Sequence, residues 1–113
     1  MKETFGEMVK GKRQAKEITL RKFASLVGIS PAYISQIENN RFSPPSEEVI
    51  CKIAHVLEED KDELLALVNK IHSDLVTIIN RFPQEVSKFL RTAQGFDQRK
   101  WRYLIEKIED DLS

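Results

Sequence analysis

Residues 19–45 read TLRKFASLVGISPAYISQIENNRFSPP. Thr19 opens this stretch with a side chain suited to cap a helix, and Ile18 and Phe23 stand at the two positions of a hydrophobic staple. Gly28 ends that helix, because a left-handed residue is needed there and only glycine adopts it without a Cβ clash. Ser30 caps a second helix, Pro31 occupies its favoured first position, and Ile29 and Ile34 form a second staple. Asn39 and Asn40 tolerate positive φ and close it, and Phe42-Ser43-Pro44-Pro45 comes next as an extended linker. Ala24, four residues before Gly28, is small where two helices joined by a tight turn must cross closely. Ile29, Ile34 and Ile37 then face inward at helical spacing.

The rest of the chain extends this helical reading. Thr4 and Glu7 form a capping box opening a first helix that runs through about Glu17. Ser46, with Glu47 and Glu48 after it, starts a fourth helix; Asp60 and Glu63 start a fifth ending near Lys70. From His72 the pattern changes. Leu75, Ile78, Ile79 and Phe82 predict one helix or a continuation of the fifth, and Pro83 interrupts it. Val86, Phe89, Leu90 and Ala93 line a further helix ending at Gly95. Asp97 caps the last one, with Phe96 and Trp101 as staple and Trp101, Leu104, Ile105, Ile108 and Leu112 as its apolar face. No sustained period-two alternation marks a strand. The expected class is all-α: a five-helix domain over residues 1–71, then two or three amphipathic helices over 72–113.

Composition bounds the function classes. Among 113 residues, 41% are hydrophobic and 32% charged, which allows a genuine core and a soluble surface. No apolar run approaches the roughly 20 residues that cross a bilayer. The start of the chain lacks the apolar stretch of a signal peptide, and the single cysteine cannot build a disulfide framework, so a cytoplasmic location is expected. Net charge is zero but unevenly placed. Residues 1–46 hold eight lysines and arginines against four acids, whereas 47–70 hold three against seven. Local field rather than total charge attracts a polyanion. Cys51 and His55 have zinc-ligand spacing without a second pair nearby, and His72 lies seventeen residues beyond His55, so neither a metal nor a cofactor is expected. A glycine-rich phosphate loop, a nucleophile elbow and paired pocket carboxylates are all missing from the sequence, so no enzymatic role is expected.

The run Ala24, Gly28, Ile29, Ser30, Ile34, Ser35, Ile37, Glu38, Asn39 and Arg41 resembles the Cro/CI-type helix-turn-helix of the XRE family of repressors. The resemblance covers roughly residues 5–70 and implies a lambda-repressor-like five-helix domain that binds double-stranded DNA. It implies that residues 31–39 form the helix entering the major groove, with Pro31, Ala32, Tyr33 and Gln36 outward toward the bases. Gln36 suits an adenine edge and Ala32 a thymine methyl. It implies backbone contacts from Arg21, Lys22, Ser30, Asn40, Arg41 and Ser43, and an orienting salt bridge between Arg13 and Glu38. Lys10, Lys12 and Lys16, on or near the first helix, divide between phosphate contacts and a plain solvated face. Many members carry glutamine where this chain has Leu20, which shifts the expected phosphate contact to Arg21 or Lys22.

Residues 72–113 are not needed to complete such a domain. They either fill the core of one chain or make a homodimer, and the rich apolar face with Trp101, Leu104, Ile105 and Ile108 is the expected dimer face. The segments around Phe82–Val86, Phe89–Ala93 and Trp101–Leu104 resemble the C-terminal part of repressors paired with ImmA/IrrE-type metallopeptidases. That resemblance implies cleavage in this region, with Leu90–Arg91 as the candidate bond. The leading expectation is a dimeric transcriptional repressor. The alternatives are an antitoxin that binds its toxin through the C-terminal helices and autoregulates, and an interaction module that has lost DNA binding.

Overall fold

The computed structural model describes residues 3–41 and 44–113. Among these, the chain forms eight α-helices and no strand: α1 (Phe5–Ala15), α2 (Leu20–Val27), α3 (Pro31–Glu38), α4 (Glu47–Leu57), α5 (Lys61–Leu67), α6 (Ser73–Arg81), α7 (Pro83–Ala93) and α8 (Gln98–Leu112). The protein is all-α, as its periodicity predicts. The helices fall into two compact units, Met1–Ser73 and Asp74–Ser113.

Local chemistry sets most of the helix starts. Thr4, Thr19, Ser30, Ser46, Asp60 and Asp97 each accept a hydrogen bond from the backbone N–H three residues on, at 2.8–3.3 Å. Each bond satisfies one of the amides that a helix leaves without an internal partner. The ends are less local. The first helix stops at Ala15 rather than near Glu17, because Glu17 adopts a left-handed φ of 57°. The fifth stops at Leu67 rather than near Lys70, with Asn69 left-handed at φ 58°. That turn makes α6 a separate helix instead of a continuation.

In the first unit, the five helices close around Val9, Phe23, Val27, Ile34, Ile50, Ile53, Leu57 and Leu65, all essentially inaccessible to solvent. Burying side chains of this size contributes about 1.5–3 kcal/mol each relative to exposure. Ala24 is buried, as its place at the helix crossing requires, while Ile29 is only partly buried against the same cluster.

The second unit is built differently. Ala93 is its one buried residue among those described, and Leu75, Val76, Ile78, Phe82, Phe89, Leu90, Ile105, Ile108 and Leu112 are exposed. Trp101 meets Phe89 edge-on, with ring centroids 6.0 Å apart, and Phe96 in the same manner at 6.1 Å. This aromatic cluster is what joins α7 to α8.

Candidate nucleic-acid interface

The α2–turn–α3 segment places one helix face outward with little freedom. Gly28 is left-handed at φ 86°, and its N–H donates to the Ala24 carbonyl at 2.8 Å. The Ile29 N–H reaches the same carbonyl at 3.1 Å, so the chain reverses within two residues. Helix α3 then buries Ile34, Ile37 and Glu38. Pro31 and Ala32 are exposed, and Ser35 and Gln36 are half-buried. Tyr33 packs against the edge of the hydrophobic core, so its ring is a partly internal group rather than a fully free one.

The buried side of α3 is held by charge as well as by packing. Arg13 of α1 donates Nε to Glu38 Oε2 at 2.7 Å and NH2 to Oε1 at 3.1 Å, while NH1 donates to the Ile18 carbonyl at 2.8 Å. Both side chains are nearly excluded from water, 10% and 4% exposed. A fork of two parallel bonds fixes distance and orientation together, so the pair locks the roll of α3 relative to α1.

A second tie binds the end of α3 to the start of α1. Asn40, left-handed at φ 57°, accepts from the Gly6 N–H at 3.1 Å through Oδ1 and donates from Nδ2 to Thr4 Oγ1 at 2.9 Å. A Cβ on Gly6 would lie 2.6 Å from Asn40 Oδ1 and 2.7 Å from the Glu38 carbonyl, and would overlap the Ile37 carbonyl as well. The Asn40 amide is thus engaged inside the protein, and these two bonds leave one amide hydrogen unused. Sequence reasoning reads Asn40 as a helix-closing residue with positive φ and as a DNA-backbone contact, and does not single out Gly6. The two lie 34 residues apart, and neither carries a local signal of the contact.

The cations divide into two groups. Lys12 pairs with Glu59 at 2.8 Å and Lys16 with Glu58 at 2.6 Å. The hydrogen bond from Lys16 holds the Glu58 carboxyl below its ordinary range, and that to Glu59 raises the Lys12 ammonium. These lysines therefore fasten α1 to the acidic end of α4. Arg21, Lys22 and Arg41 are exposed and take part in none of the ion pairs among the described residues. Arg21 and Lys22 sit in the first turn of α2, where the helix dipole adds to their positive field. Leu20, beside them, packs on the core.

Ser30 caps α3 through its oxygen, which leaves its hydroxyl hydrogen available for a donor contact. Ser43 lies outside the described residues. Asn39, which sequence reasoning treats as a helix end and as part of the family run, donates Nδ2 to the Ser35 carbonyl at 2.8 Å and lies within 3.4 Å of Ser35 Oγ. The i, i+4 spacing of these two residues is the signal that could have marked them as a coupled polar pair on α3.

Several other features lie outside this face. Leu90 and Arg91 occupy the last turn of α7, both exposed. Of the expected dimer face, Ile105 and Ile108 are exposed, whereas Trp101 and Leu104 are half-buried. Among the described residues, no group of three His, Cys, Asp or Glu side chains is placed to hold a metal ion, and no helix is long and apolar enough to cross a membrane.

A two-helix corner presenting the outer face of its second helix beside exposed cations defines a helix-turn-helix DNA-binding module. The model of the helix-turn-helix domain family matches residues 6–70, and the chain belongs to that family as a Cro/CI-type (XRE) transcriptional regulator. It is 29% identical to the uncharacterized HTH-type transcriptional regulator RghRB of Bacillus subtilis (strain 168), over 96% of this chain and 86% of that protein. The HTH-type transcriptional repressor RghR of the same organism is also 29% identical, over 90% of this chain and 80% of its own length. Among solved structures, that of SinR, the master regulator for biofilm formation, in complex with DNA is similar at a TM-score of 0.51 and 31% identity. That likeness spans 55% of this chain and 98% of the SinR chain.

Proposed function

We propose that this protein is a cytoplasmic, sequence-specific transcriptional repressor that inserts α3 into the major groove of double-stranded DNA and acts as a homodimer. The observation that carries the reading is the division of α3. Its inner face is locked by Ile34, Ile37 and the Arg13–Glu38 fork, which leaves Pro31, Ala32 and Gln36 as a fixed outer face. Gln36 reads an adenine edge through two hydrogen bonds, and Ala32 contacts a thymine methyl. Arg21, Lys22, Ser30 and Arg41 grip phosphates on either side and set the register. Tyr33 contributes its ring edge to a sugar or phosphate. Two copies read half-sites one helical turn apart.

A mobility-shift assay on DNA upstream of the protein's own gene, at two salt concentrations, tests this. Specific binding should weaken steeply as salt rises, because each phosphate contact releases counterions. Absence of a shift at low salt overturns the proposal.

A second reading concerns release of the promoter. Leu90 and Arg91 lie in the last turn of α7, where the closing Gln94 N–H reaches the Arg91 carbonyl only at 3.5 Å. Both side chains are exposed there, open to a peptidase. Incubation with a metallopeptidase encoded beside the gene, followed by mass spectrometry, should show a cut at Leu90–Arg91; an intact chain removes this reading.

A further inference from the structure

Helix α3 ends in a turn that is held partly from outside. Asn39 closes the helix, Asn40 is left-handed at φ 57°, and Arg41 leads the chain away. The Asn40 N–H donates to the Ile37 carbonyl at 3.1 Å and the Arg41 N–H to the Gln36 carbonyl at 3.0 Å. These two bonds make a Schellman motif, which lasts only while its left-handed residue keeps that conformation. Glycine adopts it freely, whereas asparagine bears a Cβ and meets a steric cost there.

The added support comes from α1. The Gly6 N–H, one of the amides that a helix start leaves without an internal partner, donates to Asn40 Oδ1 at 3.1 Å. Asn40 Nδ2 donates to Thr4 Oγ1 at 2.9 Å, the same oxygen that accepts from the Glu7 N–H at 3.1 Å. The Asn40 side chain is therefore part of the N-terminal cap of α1 and is gripped at both ends of its amide. Gly6 admits it, since a Cβ there would stand 2.6 Å from Asn40 Oδ1. Thr4 and Asn40 are both exposed, and α3 is already secured on its inner side by Ile34, Ile37 and the Arg13–Glu38 fork. What this clip adds is the direction of the chain beyond Asn39.

That direction places Arg41, which is exposed and joins no ion pair among the described residues. Through its N–H, Arg41 shares one turn with Gln36, so the cation assigned to a phosphate is tied to the amide assigned to a base edge. We infer that Asn40 is a positioning residue of the DNA interface. By bonding Gly6 and Thr4 it holds the left-handed turn that keeps Arg41 in register with Gln36, and it acts through Arg41 rather than on a phosphate of its own. This rests on the reading of α3 as the helix that enters the major groove.

The test is a double-mutant cycle in the full chain. It is read by mobility shift on DNA upstream of the protein's own gene, over a salt series, at a temperature where circular dichroism shows every variant folded. Asn40→Gly keeps the left-handed backbone and removes both side-chain bonds. It should weaken binding about three- to tenfold and lower the salt slope towards that of Arg41→Ala, because the cation is no longer held on its phosphate. Arg41→Ala should cost about tenfold alone and less than about threefold in the Asn40→Gly background. Thr4→Ala breaks one arm of the clip and should move affinity and slope in the same direction, while Thr4→Ser should bind like wild type. Should Asn40→Gly not fold, the Thr4 pair decides in its place. An Asn40→Gly protein with wild-type affinity overturns the inference, since a clip that only stabilises leaves the folded protein's binding unchanged. So does a salt slope left unaltered or a pair of penalties that multiply, the marks of a neutral amide acting independently of Arg41. An Arg41→Ala variant that binds like wild type overturns it as well. A wild type that gives no shift at low salt instead removes the DNA reading itself.

Discussion

Replacing Glu38 with alanine should destabilise the DNA-binding unit by about 3 kcal/mol. The substitution removes two bonds from Arg13, at 2.7 and 3.1 Å, and leaves a guanidinium that is 10% exposed with a single partner, the Ile18 carbonyl at 2.8 Å. Removing one member of a buried ion pair costs about 3–5 kcal/mol, mostly the penalty of the charge left behind. The retained Ile18 bond and the flexible arginine stem place this case at the lower end. Alanine's better helix propensity returns only about half a kcal/mol. For a unit of this size, a loss of about 3 kcal/mol lowers Tm by roughly 12–24 °C. Urea unfolding monitored by circular dichroism measures the change. The decisive comparison is Arg13→Met/Glu38→Leu, which deletes both charges at similar volume and should come within about 1.5 kcal/mol of wild type. A single variant costing under about 1 kcal/mol, or a double variant no more stable than the single, would refute the uncompensated-charge argument.

The same geometry sets other expectations. Gly6→Ala should cost about 1–3 kcal/mol by overpacking against carbonyls that cannot retreat, again visible in urea unfolding; an unchanged midpoint would mean that the α1–α3 tie is loose. Gln36→Ala should reduce discrimination at one base pair by about 1–3 kcal/mol, whereas Arg41→Ala should weaken all sequences alike and lower the salt slope by about one. Competition binding across single-base operator variants separates the two, and a uniform effect from Gln36→Ala would remove it from the base-reading set. Because Lys16 depresses the Glu58 carboxyl in the folded chain, their pairing contributes stability above the ordinary carboxylate range and loses it as pH falls through the lowered value. The pair is exposed, so Glu58→Gln should flatten the acid side of the stability profile only slightly; a large change would mean that the pair is less screened than its exposure indicates.

Much of this protein is legible in its sequence. A hydroxyl or carboxylate that meets a free amide three residues later is a local event, so Thr4, Thr19, Ser30, Ser46, Asp60 and Asp97 mark helix starts without reference to the rest of the chain. Gly28 is equally local, since its φ of 86° disfavours any side chain. The candidate recognition face depends on these, because the helix period sends Ile34 and Ile37 inward and Ala32 and Gln36 outward. The left-handed turns at Glu17 and Glu58 escape such reading. Glutamate has no local preference for that conformation, and it turns there only because the next helix must pack back onto the core.

The sequence by itself determined the elements of this protein, the tight turn and which side of α3 faces outward, because those depend on interactions spanning a few residues. Tertiary structure alone decided what the polar side chains are for. It sends Lys12 and Lys16 to Glu59 and Glu58, gives Asn40 to Thr4 and Gly6, and leaves Arg21, Lys22 and Arg41 without ion-pair partners among the described residues. The physical reason is distance along the chain. A charge or amide finds its partner only after folding brings together segments more than thirty residues apart, and nothing in local periodicity records which of several equivalent lysines will be taken.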